Sequence, residues 1–231
     1  MKYRIDDDKK VVLGDYDIRG VIFDIDGVLL DSLGIWKDLG ARYLIRQGKE
    51  PESGLAETLF SMSMEEGARY LKEHYLPDFS ETKISEGLEN MLRDFYYYEV
   101  GAKPGAEVLL KACRDAGLRV TAATSSPRSH IERALYRNGL LGYIERIYTN
   151  AEVGFSKHSP EIYDRAAAGM GFERNQVCVL EDSLYALKTA AAAGYHTIGV
   201  YDENGEPEQK GLEETADIYV KELPDLLKLM Q

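Results

Sequence analysis

Apolar positions follow two different rhythms along this chain. Val21–Phe23 and Val177–Leu180 are short uninterrupted apolar runs, the pattern of strands buried on both faces. From residue 104 onward such runs alternate with amphipathic stretches. The predicted helices are Ala106–Ala116, Pro127–Asn138, Pro160–Gly169, Leu184–Ala193 and Leu223–Met230. The predicted strands between them are Leu118–Ala123, Arg146–Thr149, Val177–Leu180, Thr197–Val200 and Asp217–Val220. This alternation implies parallel strands joined by right-handed crossovers, a doubly wound, Rossmann-like α/β sheet.

Residues 33–100 keep a single rhythm. Trp36, Leu39, Tyr43 and Leu44 fall at helical spacing, as do Leu55, Leu59 and Phe60, then Ala68, Leu71 and Tyr75, then Leu88, Met91, Leu92 and Phe95. Pro51, Gly54 and Pro77 punctuate them. The expectation is an inserted all-α cap of four or five helices at 33–100, with Tyr96–Tyr98 as cap packing. The core is then discontinuous, 1–32 with 101–231, and the segments near Leu33 and at Val100–Gly105 form a hinge pair. Residues 1–18 are charged and aperiodic, with Val11–Leu13 as a short edge strand. This extension either packs on the sheet or mediates self-association.

Composition narrows the partners. With 28 Lys and Arg against 40 Asp and Glu, the formal charge of −12 repels nucleic acid and anionic membranes. An anionic substrate must therefore be drawn in by local cations and helix N-termini. The N-terminus, M-K-Y-R-I-D-D-D-K-K, has no apolar stretch of the signal-peptide kind, and no apolar run approaches a bilayer span. The two cysteines, Cys113 and Cys178, are expected as free thiols. A cytoplasmic protein, monomeric or a weak homodimer, fits these features.

In doubly wound sheets, ligands bind beyond the carboxyl ends of the strands, so the strand ends carry the chemistry. The first reads V-I-F-D-I-D-G-V-L-L-D-S, with Asp24 and Asp26 just past a buried strand. Paired carboxylates raise each other's pKa unless a cation intervenes. Together they can divide nucleophilic attack and proton transfer, with a divalent metal suppressing the repulsion. Gly27 lets the backbone turn away. The second end, Thr124-Ser125-Ser126-Pro127, offers a hydroxyl beside a helix start, which suits phosphate. Ser126 is the natural helix cap there, before Pro127. Lys157 precedes another helix start at Ser159-Pro160, a position that makes sense when an anion lies between lysine and helix. The last end, Glu181-Asp182-Ser183, offers hard oxygen ligands.

These four stretches, in this order, resemble the four motifs of the haloacid dehalogenase-like superfamily, over about residues 19–222. The first motif, D-x-D-G-x-x-x-D-S, is matched by Asp24, Asp26, Gly27, Asp31 and Ser32. The third, K-P-x-P, is matched by Lys157 and Pro160, with His158 in place of a proline. The fourth, E-D-S-x-x-G, has Ala186 where the glycine stands. The resemblance implies a phosphatase in which Asp24 forms a phospho-aspartate and Asp26 is the acid and base. Thr124, Ser125 and Lys157 would hold the phosphoryl oxygens. Mg²⁺ would sit on Asp24, the Asp26 carbonyl and Asp182, with Glu181 the second choice among the acids, and a small phosphorylated metabolite would be the substrate under a closing cap. Asp26 argues against a dehalogenase, because a halide leaves without a proton. The alternative is a β-phosphoglucomutase-like sugar phosphomutase, although that group carries His where this chain has Trp36. Arg42, Arg69, Lys72 and His74 are either substrate contacts of the cap or solvated helix faces. A receiver domain is too short and lacks the insertion.

Overall fold

A computed structural model describes residues 11–13, 16–60 and 62–229. Strand β1 (Val11–Leu13) pairs antiparallel with β2 (Tyr16–Ile18), Val11 opposite Ile18, in a two-stranded ladder of its own. It is therefore not an edge of the main sheet. The edges of that sheet are taken by strands further along the chain, and β1 pairs with its neighbour in sequence. Residues 1–10 of the expected extension lie outside the described residues.

The chain divides into two units, Met1–Asp31 with Gly101–Gln231, and Ser32–Val100. The first is built on β3 (Gly20–Phe23), all four residues of which are buried. The second contains α1 (Ile35–Arg46), α2 (Leu55–Phe60), α3 (Met64–His74), α4 (Glu81–Asp94) and a π-helical turn at Phe95–Glu99. Helix α3 starts on a capping box, in which Ser63 and Glu66 each satisfy the other's backbone N–H. Ser80 caps α4 by accepting from the Lys83 N–H.

Two expectations for this helical unit need correcting. Trp36 is not part of the buried stripe. Helix α1 buries Ile35, Leu39, Tyr43 and Leu44, and Trp36, one position off that line, is 46% exposed. The tyrosine run also packs only in part: Phe95 and Tyr96 are inside, whereas Tyr98 is exposed. The candidate cap cations are engaged at the surface. Arg42 binds Asp38 and Glu99, Arg69 and Lys72 face Glu81, and His74 stacks on Tyr70.

The first unit continues with α5 (Ala106–Asp115), β4 (Arg119–Thr124), α6 (Arg128–Arg137), β5 (Arg146–Thr149), the short α7 (Asn150–Val153), α8 (Glu161–Met170), β6 (Val177–Glu181), α9 (Leu184–Ala193), β7 (His196–Val200), α10 (Gln209–Thr215), β8 (Ile218–Val220) and α11 (Leu223–Leu229). The six main strands are all parallel and ordered β5-β4-β3-β6-β7-β8. The chain walks outward from β3 to β5, returns to β6 beside β3, and walks outward the other way. The order reverses at β3, which makes its carboxyl end the crevice of the fold. Period-two alternation separates the faces. Ile22 and Val179 join a core with Ile162, Tyr163, Ala166 and Met170 of α8. Val21, Phe23, Cys178 and Leu180 lie with Leu109 and Cys113 of α5 and Leu226 of α11. Both cysteines are free and buried.

The segments that leave and re-enter this unit are tied together. Asp31 N–H donates to Gly101 O at 3.0 Å, and Lys103 N–H to Leu29 O at 2.9 Å. The Lys103 ammonium is also held, by Gly27 O at 2.8 Å and by the buried Asp202 carboxylate at 2.8 Å.

Candidate active site

The register of three strands assembles the site. Phe23 lies opposite both Ala122 on β4 and Leu180 on β6, and Asp24 N–H donates to Leu180 O at 2.9 Å. Asp24 is thus level with Glu181, the last residue of β6, and Asp182 follows it. Oxygens of Asp24, Glu181 and Asp182 lie within 4.8 Å of one another, and all three residues are buried. Past Asp26 the chain turns at Gly27, whose φ of 78° is strained for any side chain.

Lys157 reaches this cluster from the loop between α7 and α8. Its Nζ is 2.5 Å from Asp24 Oδ1 and 2.7 Å from Glu181 Oε1, with only 3% of the side chain exposed. Burial works against its charge, but Asp24 and Glu181 outweigh burial and hold the lysine protonated above its ordinary value. The carboxylates respond in the opposite direction. Burial pushes Asp24 well above the usual range, against the pull of Lys157. Burial, then Glu181, pushes Asp182 up to about 7. Ionised together, the three buried carboxylates would outnumber the one ammonium, an imbalance that a cation would relieve. Glu181 Oε2 is buried with no hydrogen-bond partner among the described residues. Hard oxygens, that imbalance and an orphaned carboxylate oxygen together fit a Mg²⁺-type cation.

The side chain of Asp26 lies outside that carboxylate cluster. Ser126 Oγ donates to Asp26 Oδ2 at 2.6 Å. This corrects the expectation that Ser126 caps α6: the residue at the cap position is Pro127, with no side-chain hydrogen bond, and the serine hydroxyl is used across the crevice. At the end of β4 the fully buried Thr124 accepts the Ser126 N–H at 3.0 Å, so its own proton is directed to another acceptor. Ser125 Oγ accepts from Asn150 Nδ2 at 2.8 Å.

Three partners escaped sequence reasoning. Ser126 reads locally as a helix cap. Asn150 follows β5 and carried no motif. Tyr163 sits on the inward face of α8, fully buried, and its hydroxyl donates to Glu181 Oε1 at 2.8 Å. Burial and the Glu181 charge push that phenol upward. The available signal for Tyr163 was its place on the apolar face of the helix that Lys157 precedes. His158 is exposed and stacks on Tyr185.

Residues 18–194 match haloacid dehalogenase-like hydrolases, and the chain belongs to that family of hydrolases. Curated relatives include phosphatases. The chain is 28% identical over 210 residues to a bifunctional riboflavin kinase/FMN phosphatase of Arabidopsis thaliana, covering 89% of this chain and 54% of that protein. It therefore spans about half the length of this relative. Hexitol phosphatase A of Escherichia coli (strain K12) is 27% identical over 184 residues, covering 79% of this chain and 82% of that one. A Thermotoga maritima crystal structure, assigned as beta-phosphoglucomutase, superposes with a TM-score of 0.83 at 24% identity, covering 92% and 98% of the two chains. At that identity the likeness shows the fold. Among the described residues no helix is long and apolar enough to cross a membrane.

Proposed function

We propose that this phosphatase of the haloacid dehalogenase-like family hydrolyses a small phosphomonoester through a phospho-aspartate on Asp24, with Mg²⁺ as cofactor. The observation that carries this is the buried contact of Lys157 with Asp24, 2.5 Å, beside Glu181 and Asp182 at the strand-order reversal. Lys157 pulls against the burial of Asp24, and a bound cation would add to that pull, favouring the anionic oxygen that attacks phosphorus in line. The Asp24 oxygen–phosphorus bond forms as the ester phosphorus–oxygen bond breaks, and the leaving oxygen takes its proton from Asp26. In the second step Asp26 takes a proton from water, the water oxygen attacks phosphorus, and the bond to Asp24 breaks.

Ser126, hydrogen-bonded to Asp26, holds that carboxyl in orientation. The Thr124 hydroxyl, the Ser125 N–H and Lys157 hold the equatorial oxygens, where positioning and charge do most of the work. Asp24, Asp182 and the Asp26 carbonyl would hold Mg²⁺, with Glu181 alongside. Bound there, the ion supplies positive charge against the transferring phosphoryl group. The test is phosphate release from a panel of phosphomonoesters with and without Mg²⁺, for wild type and Asp24→Asn. Mg²⁺-dependent release that is lost in the variant is expected. A folded protein that binds Mg²⁺ and releases nothing would instead be tried as a mutase, on sugar phosphate with a bisphosphate primer.

A further inference from the structure

Two exposed aromatic rings flank the phosphate-binding loops, outside the apolar core. His158 follows Lys157 directly, at the position where the family's third motif has proline. Its ring stacks on Tyr185, with centroids 4.4 Å apart and planes at 30°. Tyr185 lies in the first turn of α9, three residues past Asp182, and is 42% exposed. A solvated surface tyrosine needs no anchor, yet this one has one. The His158 imidazole covers one face of it. His158 follows directly the buried Lys157, whose Nζ contacts Asp24 and Glu181, so the stacked pair borders that cluster.

We propose that the His158–Tyr185 pair is the wall that selects the leaving group, favouring phosphomonoesters with a ring close to the ester oxygen over open-chain ones. This deepens the phosphatase reading and rests on it. A held ring loses little conformational freedom when a flat group packs on it, and aromatic surfaces favour ring partners over flexible polar chains. The ring stands next to the residues that would bind the phosphoryl group, so it meets atoms within a few bonds of the ester oxygen. Groups further along a long leaving group lie beyond it.

The test compares 4-nitrophenyl phosphate with glycerol 3-phosphate as substrates of wild type, Tyr185→Ala, Tyr185→Phe and His158→Pro. The readout is the ratio of their kcat/KM values, which cancels a general loss of activity. Tyr185→Ala is expected to lower the ratio about tenfold, mainly through the KM of the aryl ester. Tyr185→Phe keeps the ring and is expected to retain most of the preference, and His158→Pro, which restores the motif residue, to lower the ratio about threefold by freeing the ring. A ratio unchanged within about twofold in Tyr185→Ala, or equal losses for both esters, overturns the proposal. Calorimetric binding of the same esters to Asp24→Asn with Mg²⁺ separates the two readings. If wild type turns over neither ester, the phosphatase reading fails on these probes. Tighter aryl-ester binding that disappears in Asp24→Asn/Tyr185→Ala still supports the wall, and binding without that preference overturns it.

Discussion

Charge is used differently in the two units of this chain. In Ser32–Val100 the described ion pairs lie near the surface: Arg42 with Asp38 and Glu99 is 40% exposed, and Arg69 with Glu81 is 58% exposed. In the α/β unit Lys157, Asp24 and Glu181 form a cluster with side-chain exposures of 3%, 8% and 1%. Surface pairs gain little, because water screens them and holding two long side chains in place costs entropy. Buried charges sacrifice hydration and are hard to justify by stability alone. A protein that places three carboxylates and an ammonium at the end of a buried sheet is organised there for chemistry.

The contrast can be broken from its strong end. Lys157→Met leaves Asp24 and Glu181 buried without their cation. It is expected to cost roughly 3–5 kcal/mol of stability in denaturant unfolding without metal, together with phosphate release. If stability were unchanged, the cluster would be less buried than the structure shows. Asp24→Asn separates the two losses. Turnover is expected to fall on the order of 10³-fold or more while the fold persists, read by phosphate release and circular dichroism.

The raised Asp182 sharpens the same point through pH. Its carboxyl titrates near 7 in the folded protein, against 3.8 as the ordinary value. The metal-free folded state therefore binds this proton more tightly than the unfolded chain. Its contribution to stability is present below about pH 4 and is lost as pH rises through about 7. Because a cation must displace that proton, apparent Mg²⁺ affinity is expected to rise about tenfold per pH unit below 7 and level off above it. Calorimetry across pH 5–8 checks both statements, and a flat affinity profile would remove Asp182 from the metal site.

Ser126→Ala tests a lesser charge contact. Loss of the hydrogen bond that orients Asp26 is expected to lower kcat about tenfold with KM little changed, since the bond acts on proton transfer rather than on binding. At the weak end, Arg42→Ala in the helical unit is expected to change stability by about 0.5 kcal/mol or less. A loss as large as that of Lys157→Met would erase the contrast.

How much of the site could be read from the chain follows from the length scale of each signal. Asp24, Asp26, Thr124, Lys157 and Asp182 each sit within a few residues of a strand or helix boundary, and such boundaries are written in local hydrophobic pattern and in Gly and Pro. Ser126 before Pro127 looks locally like a cap, whereas its partner Asp26 is 100 residues away. Tyr163 was missed because a tyrosine on an apolar helix face looks like core, and its contact with Glu181 depends on how α8 lies against the sheet. Trp36 was misplaced by a single position, which on a helix is enough to turn a side chain outward.

By itself, then, the sequence determined the alternation of strands and helices, the helical insertion and the residues at the strand ends, because these depend on period, propensity and turn chemistry over a few residues. The tertiary structure alone decided which strand ends meet, with β3 between β4 and β6. It alone set Lys157 between Asp24 and Glu181, Ser126 on Asp26, and His158 against Tyr185. Those contacts join residues far apart in the chain, and only packing and strand register bring them within reach.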